Sequence, residues 1–255
     1  MIIRKSAAEL EKMRRAGRIV AGTIDAVLAG VEPGRSTLDL DRVAERYIRD
    51  QGATPSFKGY RGTYPASICA SIDDEIVHGI PSATRTLKEG QVLSLDFGAI
   101  WEGFHGDAAV TVFVGGQPPS EDAAKLVKET EQALDSAIEV IHAGGRLSDI
   151  GHAIESVADA AGLGVIREYG GHGIGRKMHE EPFVQNWGPP GRGPELRPGL
   201  TLAIEPMFTL GGEANRVLAD GWTVVTADGS LAAHFEHTIA VTENGPEILT
   251  RLDQR

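Results

Sequence analysis

Near the N-terminus, apolar residues recur at helical spacing: Leu10, Met13, Val20, Ile24 and Val27 form one stripe with charged residues between them. Ser6 followed by Glu9 reads as a capping box, so a helix opens there and runs toward Gly30, slightly weakened by Gly17 on its apolar stripe. Ser36 opens a second helix through Leu40, Val43, Tyr47 and Ile48, which Gly52 ends. The plan returns in the second half. Ser120, followed by Glu121 and Asp122, opens a helix through Leu126, Leu134, Ile138 and Ile141, and Ser148 opens another that stops near Gly162. Gly34 to Gly52 therefore lies over Gly144 to Gly162 at a constant offset.

Between and after the helices the pattern becomes strand-like, and it too repeats. Residues 91–96, Gln-Val-Leu-Ser-Leu-Asp, align with residues 200–205, Leu-Thr-Leu-Ala-Ile-Glu, so Asp96 matches Glu205. Downstream, Asp107 opens Ala-Ala-Val-Thr-Val-Phe-Val and Glu236 opens His-Thr-Ile-Ala-Val-Thr. An HxxP pair, His78 to Pro81 and His179 to Pro182, relates two histidines in the same way. Two copies of about a hundred residues are too few and too long for a solenoid. The pattern predicts one α/β (α+β) catalytic domain of two pseudo-symmetric halves, about 1–115 and 116–255. Short turns between strands imply a mostly antiparallel sheet with helices on one face. The stretch 189–194, Pro-Pro-Gly-Arg-Gly-Pro, is the least regular.

The repeated acids carry the chemistry. An ionised carboxylate taken out of water costs several kcal/mol unless it is compensated. A hairpin centred on Trp101 and Glu102 would set Asp96 and Asp107 directly opposite each other, about 4.5 to 5.5 Å apart at Cβ. Like charges that close repel unless one is protonated or a cation lies between them. For one pair alone, two solvated acids flanking a turn would serve as well. The second half shifts the balance, because Glu205 in Leu-Ala-Ile-Glu-Pro-Met-Phe and Glu236 in Ala-Ala-His-Phe-Glu-His-Thr-Ile both have apolar surroundings. Pro206 restricts Glu205 to extended backbone and suits an edge or bulge.

The candidate imidazole is His172, inside the glycine run 169–175, Tyr-Gly-Gly-His-Gly-Ile-Gly. Its repeat partner is Ser71, so it would make the site asymmetric. Glycines on both sides permit unusual backbone and close approach to a ligand, and the run lacks the order of a phosphate-binding loop. Four carboxylates and one imidazole favour Mn²⁺, Fe²⁺ or Co²⁺, are compatible with Zn²⁺, and weigh against Ca²⁺. By period two, His234 shares a strand face with Glu236 and is placed to line the site. His105, His142, His152 and His237 read as structural or surface histidines.

Composition narrows the partners. A net charge of −11 without any basic run argues against nucleic acid or an anionic membrane surface. The single cysteine, Cys69, excludes an internal disulfide framework and cysteine-cluster zinc, which fits a reducing compartment. The N-terminus lacks an apolar signal core, and no apolar run reaches the roughly 18 residues of a membrane helix. These features predict a soluble, cytoplasmic protein.

Residues 169–187, Tyr-Gly-Gly-His-Gly-Ile-Gly-Arg-Lys-Met-His-Glu-Glu-Pro-Phe-Val-Gln-Asn-Trp, resemble the signature of type I methionine aminopeptidases, and the order Asp96, Asp107, Glu205, Glu236 is similar too. The resemblance spans about residues 5 to 250. It implies the pita-bread fold, a curved, mostly antiparallel sheet covered by helices, and two divalent metals held by Asp96, Asp107, His172, Glu205 and Glu236. It further implies removal of the initiator methionine from nascent polypeptides by a metal-activated water. Asp107 and Glu236 would bridge the metals, Asp96 would hold one, and His172 with Glu205 the other. Glu205 is the candidate proton acceptor, His179 the group stabilising the tetrahedral intermediate, and His78 a contact to the substrate backbone beyond the cleaved bond. Tyr60, Tyr64, Cys69, Met178 and Trp222 correspond to the methionine pocket, although Met178 stands where many relatives have phenylalanine. A monomer is expected, with the ribosome as a candidate partner. Proline-directed aminopeptidases and dipeptidases share the fold but generally carry a further N-terminal domain, for which this chain has no room. Type II enzymes carry a helical insertion that is not evident between His179 and Glu205. A metal-free binding protein of the same fold would not be expected to fill all five ligand positions.

Overall fold

The computed structural model describes residues 2–251. The four helical stripes become α1 (Ala7–Leu28), α2 (Thr37–Asp50), α3 (Glu121–Glu139) and α4 (Leu147–Ala161). Ser6 and Glu9 form the reciprocal capping box of α1, Ser36 and Asp39 do the same for α2, and Ser120 caps α3. Each side-chain cap satisfies an N–H that the first helical turn leaves without a partner. Ile141 lies just past the end of α3 but is buried.

Two sequence expectations about helices need correction. Helix α4 starts one residue before Ser148, with Arg146 as its cap; the Arg146 N–H donates to the Asp149 carboxylate at 2.9 Å. Ser148 is used elsewhere, because its hydroxyl accepts from the Arg192 N–H at 2.8 Å and pins the irregular 189–194 loop. Gly17 is a packing requirement more than a weakness. There α1 crosses the strand Phe104–Phe113 at Gly106, and a Cβ on Gly17 would overlap the Leu249 backbone carbonyl.

All strand pairings among the described residues are antiparallel, and the mixed α/β architecture is the one expected. In the first half, Val92–Trp101 pairs with Ile68–Ile72 and with Phe104–Phe113. In the second, the order is Gly245–Ile248, His237–Thr242, Thr201–Ile204, Gly171–Gly173, Glu180–Val184. Period two divides each central strand. Leu93, Leu95, Phe97 and Ala99 join the core packed on α1 and α2, leaving Ser94, Asp96 and Gly98 on the opposite face. Likewise Leu202 and Ile204 join the core under α3 and α4, and Glu205 falls on the other side. The two halves are stitched together on that far face, where Ala109 and Glu236 exchange backbone hydrogen bonds at 3.2 and 2.9 Å. No helix among the described residues is long and apolar enough to cross a membrane.

The hairpin between Asp96 and Asp107 is turned one residue later than expected. Trp101 pairs with Phe104, so the turn is Glu102-Gly103, with φ of 47° and 79°. Both central residues are left-handed, the geometry that two-residue hairpins require and that an X-Gly pair favours. Asp96 therefore faces Ala109, and Asp107 faces Gly98. The acids share a face as diagonal neighbours, not as a directly opposed pair.

Candidate metal centre and apolar pocket

The second half arranges its acids differently from the first. His237 pairs with Ile204, and continuing that register by one residue would set Glu236 opposite Glu205 just where the ladder stops at Pro206. A diagonal pair from one half thus meets an opposed pair from the other. His172 enters from the strand Gly171–Gly173, which is squeezed between its two neighbours. A Cβ on Gly171 would overlap the Ala203 carbonyl, and one on Gly173 would overlap the Glu181 carbonyl. Neither glycine has positive φ. The glycines flanking His172 are there for close backbone packing, which fixes the imidazole within the sheet.

The side chains converge. His172 Nε2 lies 3.7 Å from Glu205 Oε1 and 3.9 Å from Asp107 Oδ2. Ligand atoms of Asp107, His172 and Glu236 lie within 4.8 Å of one another, as do those of Glu205, His234 and Glu236. Asp96, the diagonal neighbour of Asp107 on the same sheet face, lines the same cavity as these groups. The tautomer of His172 follows from its partner: Nδ1 is 2.9 Å from the Gly173 carbonyl, which can only accept, so Nδ1 carries the proton and Nε2 points a lone pair at the carboxylates. Metal-binding histidines are commonly oriented by this kind of bond.

The residues fit a divalent cation on their own evidence. Asp96 Oδ1, Asp107 Oδ1, Glu236 Oε1 and His234 Nε2 are buried with no hydrogen-bond partner among the described residues. Burial, reinforced by the neighbouring acids, drives the Asp107 and Glu236 carboxyls well above the carboxylate range. Burial also raises Glu205 and Asp96, with His234 opposing the rise at Asp96. Buried acids held this way are poor structural elements and good cation ligands. His234 Nε2 stands 3.4 Å from Glu205 Oε2, close to the acids but not among the residues that line the cavity.

One cavity contains this cluster together with His78, His179, Tyr60, Tyr64, Cys69, Met178 and Trp222. Tyr64, Cys69 and Met178 are buried in a single apolar group, with Tyr60 and Trp222 packed against it. Cys69 is the cross-strand partner of Asp96, so the apolar wall abuts the acids directly. Burial and the Asp96 charge push its thiol well above the usual range, leaving it an inert lining group. His78 adopts a left-handed φ of 62° and stands edge-on to Trp222 and Tyr169, with ring centroids 6.2 and 6.0 Å away. Such backbone in a non-glycine residue persists where surrounding contacts over-determine it. The His179 ring lies tilted against that of His172 with centroids 4.1 Å apart, and its Nδ1 lies 2.7 Å from the Tyr60 hydroxyl.

Sequence reading missed Phe57, Arg61, Tyr169 and Phe183, which also line the cavity. Only Tyr169 had a local signal, its place at the head of the glycine run. Of the histidines set aside, His105 bonds Ser56 Oγ at 3.0 Å and His237 bonds Thr250 Oγ1 at 2.9 Å, while His142 and His152 are exposed beside a separate surface hollow.

Comparison with known proteins agrees with this geometry. The family described as metallopeptidase family M24 matches residues 11–243. The chain is 52% identical over 250 residues to a methionine aminopeptidase of Clostridium acetobutylicum, covering 98% of this chain and 99% of the relative. It is also 52% identical over 256 residues to methionine aminopeptidase 1 of Mycobacterium tuberculosis, covering 98% and 95%. The crystal structure of a methionine aminopeptidase from Thermotoga maritima superposes with a TM-score of 0.96 at 45% identity, covering 99% of this chain and 100% of that one, so the pita-bread fold is shared. With the acids and His172 all inside the matched span, the chain belongs to metallopeptidase family M24.

Proposed function

We propose that this chain removes the N-terminal methionine from nascent polypeptides, using two divalent cations held by Asp96, Asp107, His172, Glu205 and Glu236. The observation that carries the reading is one cavity whose apolar wall, built on Tyr60, Tyr64, Cys69, Met178 and Trp222, adjoins a cluster of unsatisfied buried acids. Four carboxylates carry the charge that two divalent cations would neutralise. Glu236, which belongs to both groupings of ligand atoms, and Asp107, which belongs to one, would be shared between the cations. Asp96 would help hold one cation, and His172 with Glu205 the other. The oxygen-rich set suits Mn²⁺, Fe²⁺ or Co²⁺ and accepts Zn²⁺.

When bound, the cations would lower the pKa of water from about 15.7 toward about 7 and polarise a carbonyl. The protein's own groups do the rest. The apolar wall takes the methionine side chain, whose flexible, polarisable thioether suits aromatic and sulfur contacts. Glu205, raised by burial, accepts the water's proton and returns it to the leaving amine. His179 donates to the oxyanion that develops on the scissile carbonyl. His78 holds the peptide backbone beyond the cleaved bond. The reading also takes the chain as one catalytic domain of two halves, working as a monomer in the cytoplasm on chains emerging from the ribosome.

The test offers metal-stripped protein, with and without added Mn²⁺ or Co²⁺, a Met-Ala-Ser peptide beside an Xaa-Pro peptide. Metal-dependent release of methionine is expected. Cleavage of the Xaa-Pro peptide alone would replace the substrate assignment.

A further inference from the structure

The ring of Tyr60 packs against the apolar wall, and its hydroxyl ends on a histidine. It meets His179 Nδ1 at 2.7 Å, the only side-chain hydrogen bond recorded for either residue among those described. The two rings lie 5.4 Å apart. Tyr60 sits in a tight turn: Gly59, Arg61 and Gly62, which surround it, have φ of 82°, 47° and 78°. The Arg61 guanidinium covers the Tyr60 ring face at 5.6 Å.

A neutral imidazole has one N–H and one lone pair, and the partner of one nitrogen decides the state of the other. His172 shows one outcome, since the Gly173 carbonyl accepts from Nδ1–H and frees the Nε2 lone pair for a cation. His179, tilted against it with centroids 4.1 Å apart, has a phenol in place of a carbonyl. A phenol can donate, and an imidazole nitrogen is a far better acceptor than a phenol oxygen. We propose that Tyr60 is a positioning residue that donates its hydroxyl proton to His179 Nδ1 and so holds His179 as the Nε2–H tautomer, the form able to donate to a developing oxyanion. Two adjacent imidazoles are thereby set to opposite tautomers, one as ligand and one as donor. The inference rests on the proposed role of His179.

The decisive variant is Tyr60→Phe, which keeps the ring in the pocket and removes only the hydroxyl. It is compared with the parent protein and with His179→Ala, all loaded with diamagnetic Zn²⁺. Nitrogen-15 NMR of the imidazoles should show Nε2 protonated in the parent His179 and a tautomer mixture in Tyr60→Phe. On Met-Ala-Ser, Tyr60→Phe should lower kcat about tenfold while KM stays within about twofold. It should add nothing further in a His179→Ala background. An unchanged tautomer in Tyr60→Phe overturns the inference whatever the rates do. So does a raised KM with unchanged kcat, which would make Tyr60 a pocket wall only. Full kcat in His179→Ala would instead remove the oxyanion role of His179, while the NMR comparison would still decide what sets its tautomer.

Discussion

The imidazoles of His172 and His179 lie 4.1 Å apart, centroid to centroid, yet each meets a different kind of partner at Nδ1. One faces the Gly173 carbonyl and the other the Tyr60 hydroxyl. Equal side chains in contact thus have separable tasks, and their removal should have separable consequences.

His179→Ala is expected to retain its full metal content and lose about 100-fold or more in kcat, the scale of losing one oxyanion donor. His172→Ala should weaken metal affinity by about 10- to 100-fold or more. Elemental analysis after dialysis, beside turnover at saturating metal, separates the two. Loss of metal from His179→Ala would place it among the ligands.

Metal removal should make stability depend on pH in a defined direction. In the metal-free fold Asp96 and Glu205 have carboxyl pKa values raised to about 7 and about 8. A raised folded pKa contributes stability that is fully present below the unfolded value near 4 and lost as pH rises through 7 to 8. Other carboxylates, such as Glu180 and Glu247, are held low by Lys5 and Arg14 and act in the opposite sense, but they are common to both forms. The Tm gap between metal-loaded and metal-stripped protein should therefore widen from about pH 5 to about pH 8. A gap that narrows over this range contradicts the assignment of these acids as ligands.

Gly17→Ala should destabilise the fold by about 1–3 kcal/mol, read from urea unfolding, because the added methyl would overlap the Leu249 backbone carbonyl. At an exposed helical position the same change would be stabilising by up to about 1 kcal/mol. A neutral or stabilising effect would show that α1 does not sit this tightly against Leu249.

Cys69 should resist alkylation in the native state near neutral pH and react only on unfolding. It is 4% exposed, and its thiol is pushed up by burial and by Asp96. Rapid native labelling would mean that the pocket wall opens to solvent.

The helices and the four acids are legible from sequence because they rest on local signals, namely caps, the 3.6-residue period and an acid that closes or opens each apolar run. The register of Asp96 with Asp107 differs by one turn position from the expectation because the turn falls on Glu102-Gly103, left-handed at both residues. Ser148 looked like a cap until a loop more than forty residues away claimed its hydroxyl. Gly171 and Gly173 were noticed, but their cause is the neighbouring strands' carbonyls, which no local pattern reveals. Phe57 and the Tyr60–His179 bond are tertiary facts, set by loops that fold against residues far along the chain.

The central claim is that the buried acids serve cations that drive methionine removal. The most direct measurement titrates Mn²⁺ or Co²⁺ into metal-stripped protein while following methionine release from Met-Ala-Ser and the stoichiometry of bound metal. Activity that is absent without metal and returns as metal binds, with binding lost in Glu236→Ala, is the predicted result. Full methionine release by the metal-free protein, or wild-type metal binding in Glu236→Ala, would contradict it.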